Sequence, residues 1–234
     1  MQITADTHVA DLASSFPGTI RVFQQYGLDF CCGGKRPLSE VCAEQSVNVD
    51  RLIGALEQSL LAPVNDTDWQ RERLSDLVSH IQQRFHVPLR EELARLAAMM
   101  AKVIARHGDA HGDMLRPLGR VFADFQSDLM AHMQKEDGVL FPAVIGLERG
   151  DASVMGSWHW IAGPIGMMEI EHADAGAALA EMRRLTNGFV PPADACPTFQ
   201  GLLHSLGELE REMHLHVHLE NNILFPRAAA LADR

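Results

Sequence analysis

Two stretches of the chain repeat one pattern of metal-binding side chains. His132-MQK-Glu136-DGV-Leu140-Phe141-Pro142 matches His216-VHL-Glu220-NNI-Leu224-Phe225-Pro226 at every spacing, and a β-branched residue, Val139 or Ile223, precedes each Leu. A bare His-x3-Glu pair is weak on its own, because composition alone supplies about one by chance. The chain has three, counting His204–Glu208, but only two carry the Leu-Phe-Pro tail. On an α-helix, residues i and i+4 point the same way one turn apart. Each full repeat therefore offers an imidazole and a carboxylate to one metal ion or to a pair of ions. The Leu-Phe that follows is expected to pack the core beyond the site. Pro142 and Pro226 are expected to bend the helix after its last ligand, or to mark its weakened end.

Two such helices leave a two-metal site short of nitrogen ligands. The remaining candidates are His80 and His86 in one helical stretch and His172 in another. His86 and His132 are 46 residues apart and His172 and His216 are 44 apart; this match selects His86 over His80, which lies on a different face. The chain then reads as two αα-hairpins, each contributing His…His-x3-Glu. The set is His86, His132, Glu136, His172, His216 and Glu220. With both carboxylates bridging, each ion has two nitrogens and two oxygens, and an oxo or hydroxo bridge leaves one position open on each. Mixed imidazole and carboxylate ligation suits iron or manganese, and zinc less well as a bridged pair. Open positions imply reactivity toward O2, nitric oxide or peroxide, or a readily exchanged metal.

The elements that must position these residues are helical. Ala, Leu, Met, Glu and Gln are plentiful and β-branched runs are few, which favours an all-α chain. Four long helical patterns run over about 70–107, 115–145, 165–185 and 198–232, joined by Gly-rich or Pro-rich segments. Four helices with short connections predict an antiparallel bundle. A polar stretch with Pro63, LAPVNDTDW at 61–69, separates this bundle domain (70–234) from a small helical N-terminal domain (1–62). Within the latter, helices are expected over about 9–16, 19–26, 39–45 and 49–61, with Ser39 as a cap after Pro37 and a turn at Gly27–Arg36. Pro88, two residues after His86, should kink the first long helix.

The formal charge is −11 with no local Lys/Arg cluster, which argues against a nucleic-acid partner. No apolar stretch is long enough to span a bilayer, and the N-terminus lacks the basic-then-apolar order of a secretion signal. A soluble, cytoplasmic protein is the expectation. The four cysteines, Cys31, Cys32, Cys42 and Cys196, do not make a disulfide scaffold. Adjacent cysteines rarely bridge to each other, and without a CxxC pair a four-thiolate site is poorly supported.

With these residues in place, the chain resembles the di-iron proteins for repair of iron–sulfur centres, built on a hemerythrin-like bundle. The likeness covers nearly the whole chain and rests on YGLDFCCGGKRPL, HMQKE…LFP, EIEHADAG and HLENNILFPRA. It implies that the six residues above ligate two iron ions, non-haem and oxo-bridged, with Glu136 and Glu220 bridging. It also implies acidic residues beside the centre, Glu171 and Asp128, and a redox or iron-handling role for Cys31 and Cys32 in an accessible, Gly-flanked loop. The implied function is restoration of iron–sulfur clusters damaged by nitric oxide or peroxide, by iron donation or by chemistry on nitric oxide itself. Its partners are damaged iron–sulfur proteins, with nitric oxide or O2 as small ligands; homodimerisation is left open.

The competing reading is a hemerythrin-like O2 or nitric oxide carrier or sensor, although oxygen carriers resembling this fold usually use five His. A ferritin-like oxidase needs two ExxH motifs and only Glu169–His172 has that form; metalloprotease chemistry lacks HExxH. His214 and His218 form a rival i,i+4 pair, expected as solvated or edge histidines. Trp158-His159-Trp160 is expected as surface aromatics at the bundle end.

Overall fold

A computed structural model describes residues 3–31, 34–60, 67–151 and 159–232. Among them the chain is all-α. Extended pairing among the described residues is limited to an isolated antiparallel bridge between His8 and Pro37. Four short helices come first: α1 (Val9–Ser15), α2 (Gly18–Tyr26), α3 (Leu38–Glu44) and α4 (Val49–Ser59). Asn48 caps α4 by accepting a hydrogen bond from the Arg51 amide at 2.9 Å, and Gly27, at φ +65°, ends α2. Ser39 is not a cap, because α3 already begins at Leu38 and the Ser39 amide bonds the Ala5 carbonyl instead. These helices close over a core that includes Leu12, Phe23, Phe30, Leu38, Leu52 and Leu56. Gly34 is needed for close approach: a Cβ there would lie 2.8 Å from the Ala10 side chain and from the Phe30 carbonyl oxygen.

The long helices follow. Helix α5 (Leu74–Ile81) continues through a π-turn at Gln82–His86 into α6 (Val87–His107). Helix α7 (Gly112–Lys135) continues through a π-turn at Glu136–Leu140 into α8 (Phe141–Arg149). Helix α9 runs over His159–Leu185, and α10 (Pro197–Leu219) continues through a π-turn at Glu220–Leu224 into α11 (Phe225–Ala232). In sequence, α6 packs against α7, α7 against α9, α9 against α10, and α10 back against α6, closing a four-helix ring. Two apolar clusters fill it. One, around Leu96, Phe122 and Phe199, occupies the far half; the other, around Leu77, Phe141 and Phe225, occupies the near half.

Two expectations about the helices change. The second long helix extends to Arg149 and the third starts at His159, because these segments carry apolar residues that the near cluster buries, Leu147 and Ile161 among them. The prolines neither end nor simply kink their helices. Each of Pro88, Pro142 and Pro226 sits six residues after the first residue of a π-turn, where the Val87, Phe141 and Phe225 amides bond the i−5 carbonyls of Gln82, Glu136 and Glu220. A proline has no amide hydrogen for the i−4 carbonyl; widening the turn just before it lets the helix go on. The expected surface aromatics at Trp158–Trp160 lie outside the described side chains.

Candidate metal centre

The six candidate ligands come from the four long helices and meet between the two apolar clusters. His86 closes the first π-turn, His132 lies in the last turn of α7, and Glu136 opens the second π-turn. His172 is on α9, His216 is in the last turn of α10, and Glu220 opens the third π-turn. All six are buried, none more than 3 % exposed. Their ligand atoms form two overlapping groups, His86–Glu136–His216–Glu220 and His132–Glu136–His172–Glu220, which share both carboxylates.

Every imidazole turns Nε2 inward. His86 Nε2 lies 3.0 Å from His216 Nε2, and His172 Nε2 lies 2.9 Å from His132 Nε2. Glu136 approaches His132 at 3.2 Å and His86 at 3.5 Å, and Glu220 approaches His216 at 2.9 Å and His172 at 3.2 Å. Both oxygens of Glu136 and Oε2 of Glu220 are nonetheless buried without a hydrogen-bond partner among the described residues. Burying carboxylate oxygens unpaired costs several kcal/mol. Converging ring lone pairs and orphaned carboxylate oxygens together fit a cation at their centre.

Electrostatics agree. Burial opposes protonation of His132, but the nearby carboxylates of Glu136 and Glu220 and the hydrogen bond to Glu171 push it up to about 9. Burial likewise opposes the charge of Glu220, yet His216, His172 and His86 hold its carboxyl well below the ordinary range. The cluster gathers positive charge wherever it can, and a metal ion supplies it without protons.

The outer edges of the rings follow a pseudo-twofold pattern that the sequence reading missed. His86 Nδ1 donates to Asp137 Oδ1 at 2.9 Å, and His172 Nδ1 donates to Asn221 Oδ1 at 2.7 Å. In both hairpins the residue just after the bridging-type Glu thus fixes the hairpin's first His. Gln82 and Arg90 in turn hold Asp137, at 2.9 and 2.6 Å. The Phe of each Leu-Phe-Pro tail lies flat against the same His: Phe141 on His86 at 5.5 Å and Phe225 on His172 at 5.9 Å. The acceptor in Glu136-Asp137 and Glu220-Asn221 was a readable signal. Such partners fix the ring orientation and the tautomer that leaves Nε2 free to ligate.

Symmetry breaks at the residue before each first His. Glu171 precedes His172 and accepts from His132 Nδ1 at 2.8 Å, while Lys135 bonds its other oxygen. Phe85 precedes His86 and stacks on His216 at 5.3 Å, almost parallel. His216 Nδ1 is accordingly buried without a hydrogen-bond partner among the described residues. Asp128 is exposed and only lines, with Glu171, a 590 Å³ cavity that reaches His132 and His172. A second cavity, of 430 Å³, reaches His216 between α6 and α10.

Cys31 departs from the expected accessible loop. It is 3 % exposed and packs against the far bundle cluster. Its Sγ donates to Asp29 Oδ1 at 3.1 Å, and its amide donates to the same oxygen at 2.9 Å. Cys32 lies outside the described residues. His218 is also not an edge residue: it is 1 % exposed, burial pulls it down to about 4, and its ring meets Phe30 edge-on at 5.6 Å. His214 meets the other side of Phe30 at 6.0 Å. The pair faces the N-terminal helices.

Comparison with known proteins adds family to geometry. Residues 77–228 match the hemerythrin HHE cation binding domain, and residues 5–60 match a domain of unknown function, DUF542. The chain is 38% identical over 223 residues to the iron-sulfur cluster repair protein YtfE of Pectobacterium atrosepticum, covering 95% of this chain and 96% of that one. It is 37% identical over 223 residues to that of Pectobacterium carotovorum, with the same coverage. Against a probable iron-sulfur cluster repair protein of Haemophilus influenzae it is 36% identical over 230 residues, covering 95% and 96%. No helix among the described residues is long and apolar enough to cross a membrane. A hemerythrin-type domain with a buried His/Glu cluster fits non-haem iron. This chain thus joins a DUF542 segment to a hemerythrin HHE domain, and on its likeness to these relatives it belongs to the iron–sulfur cluster repair family.

Proposed function

We propose that this protein restores iron–sulfur clusters damaged by nitric oxide or oxidants, using two iron ions held by its bundle domain (70–234). His86 and His216 would hold one ion and His132 and His172 the other, with Glu136 and Glu220 within reach of both. The observation that carries this reading is the pair of buried carboxylates shared between two groups of imidazole nitrogens, with three of their oxygens lacking a hydrogen bond among the described residues. When bound, the iron supplies redox reactivity toward nitric oxide, O2 or peroxide and a pool of exchangeable metal.

The chain's own residues prepare that chemistry. Asp137, Asn221 and Glu171 hold the Nδ1 protons of His86, His172 and His132, so that three Nε2 lone pairs point inward. Phe141, Phe225 and Phe85 cover the rings and exclude water from them. The cavities beside His216 and beside His132 and His172 give small ligands room to approach. The names of the relatives support iron–sulfur proteins as clients, met in the cytoplasm, and the small helical domain (1–62) brings Cys31 to the bundle.

The test mixes reduced, iron-loaded protein with an enzyme whose cluster has been damaged by nitric oxide. Recovery of that enzyme's activity without added iron is the expected result. Reversible O2 or nitric oxide binding with no recovery would favour the carrier or sensor reading instead.

A further inference from the structure

The third π-turn carries three consecutive side chains with three different duties. Glu220 faces the centre, 2.9 Å from His216 and 3.2 Å from His172. Asn221 accepts from His172 Nδ1 at 2.7 Å. Asn222 points the other way: its Nδ2 donates to the Phe30 carbonyl at 3.1 Å and to His218 Nδ1 at 3.0 Å, and reaches the Cys31 carbonyl at 3.5 Å. Two i,i+4 pairs are thus offset by two residues on one helix. His216–Glu220 faces the centre and His218–Asn222 faces the loop that carries Cys31.

Among the described residues of this turn, Asn222 is the side chain that hydrogen-bonds that loop, and packing around Phe30 accompanies it. Phe30 lies between His214 and His218 and stacks with Phe23 at 6.1 Å. Single π-turns inside α-helices occur frequently at functional sites, and this one sets contacts to the centre and to the loop on consecutive residues. Glu220 and Asn221 both answer to the charge at the centre. Any change in their positions moves Asn222, because the three are consecutive.

We infer that the Glu220–Leu224 π-turn couples the metal centre to the docking of the Cys31 loop, with Asn222 as the positioning residue. This inference rests on the di-iron reading. Iron at the centre holds Glu220 and Asn221, which keeps Asn222 on the Phe30 carbonyl and Cys31 buried. Loss of iron leaves the orphaned carboxylate oxygens uncompensated, the turn shifts, and the loop is released with its thiol accessible. A chain that has given up its iron thereby exposes the cysteine, and a loaded chain hides it. Linkage makes the coupling reciprocal, so undocking the loop also weakens retention of iron.

The test follows alkylation of Cys31 in the full chain, resolved from the other cysteines by peptide mass mapping, with iron content measured on the same samples. In the wild type, removing iron should raise the Cys31 rate by on the order of tenfold, while the rate at Cys42 stays unchanged. In Asn222→Ala the loaded protein should already react at the fast rate, with two irons still bound at saturating iron and a faster loss of iron to a chelator. Asn222→Asp, which keeps the shape but cannot donate to the carbonyl, should behave the same way. Equal Cys31 rates in loaded and iron-free wild type would overturn the coupling while leaving the di-iron reading intact. A slow, iron-dependent rate that survives in both variants would remove Asn222 from it. A chain that takes up no iron would sink the inference together with the reading beneath it.

Discussion

At the residue scale, the site is organised by what lies behind each imidazole. His86, His132 and His172 each have an oxygen acceptor on Nδ1, whereas His216 has the Phe85 ring against its face. Residues that fix a ligating His typically account for about 10–100-fold in metal affinity. Glu171→Gln should therefore weaken iron binding by about that factor, read as a shift in a competitive chelator titration, with no change in helicity. Proton and metal compete for the same nitrogens, which gives a pH signature in the iron-free chain. His132 is raised from 6.5 to about 9, so its stabilising contribution is complete below 6.5 and disappears as pH rises through about 9. Glu220 is depressed below 4.5, so its contribution is present above 4.5 and disappears on acidification. The melting temperature of the iron-free chain should accordingly fall between about pH 7 and pH 10. The loaded chain should lose none of its stability through His132 over that range, since the metal stands where the proton was.

At the element scale, the long helices are held at both their ends and their π-turns. Glu148 in α8 caps the start of α5 from across the bundle, accepting from the Leu74 amide at 2.6 Å and the Ser75 amide at 3.1 Å. Burial would raise its carboxyl, but the hydrogen bonds from Ser75 and Leu74 hold it below the usual range. Glu148→Ala should cost roughly 1–2 kcal/mol in urea unfolding, with the iron spectrum unaltered. Pro226→Ala restores an amide hydrogen after the third π-turn and lets the helix relax toward α geometry. That would swing Glu220 away from the centre, and iron affinity should drop by about tenfold or more at unchanged helix content. Much of this scale was legible in the sequence. The helix periodicity and the two Glu-x5-Pro spacings were plain, and Gln82…Pro88 repeats the spacing with a different first residue. The π-turns themselves were not, because a proline reads locally as a break, and only a continuous apolar face on both sides shows that the helix goes on. The same locality misplaced His218. Spacing pairs it with His214, whereas its hydrogen-bond partner is Asn222, and its burial depends on Phe30 from 188 residues earlier in the chain.

At the scale of the whole molecule, the N-terminal helices and the bundle meet where Phe30 seats between His214 and His218, and Cys31 joins the bundle core. No periodicity in either half announces that contact, since it depends on shape and on side-chain hydrogen bonds such as that of Asn222 to the Phe30 carbonyl. Phe30→Ala should cost about 3–5 kcal/mol in unfolding, measured on the full chain. The pairing intervals that selected His86 and His172 did reach across the molecule, because each hairpin repeats its own geometry and brings its first His level with its second. The central claim is that these six side chains form one two-iron site. Its most direct test is metal analysis, with Mössbauer spectroscopy, of chain reconstituted with ⁵⁷Fe beside the His132→Ala and Glu220→Ala variants. The wild type should hold two coupled irons per chain, and each variant should lose at least one of them. Two irons retained in both variants would contradict the site.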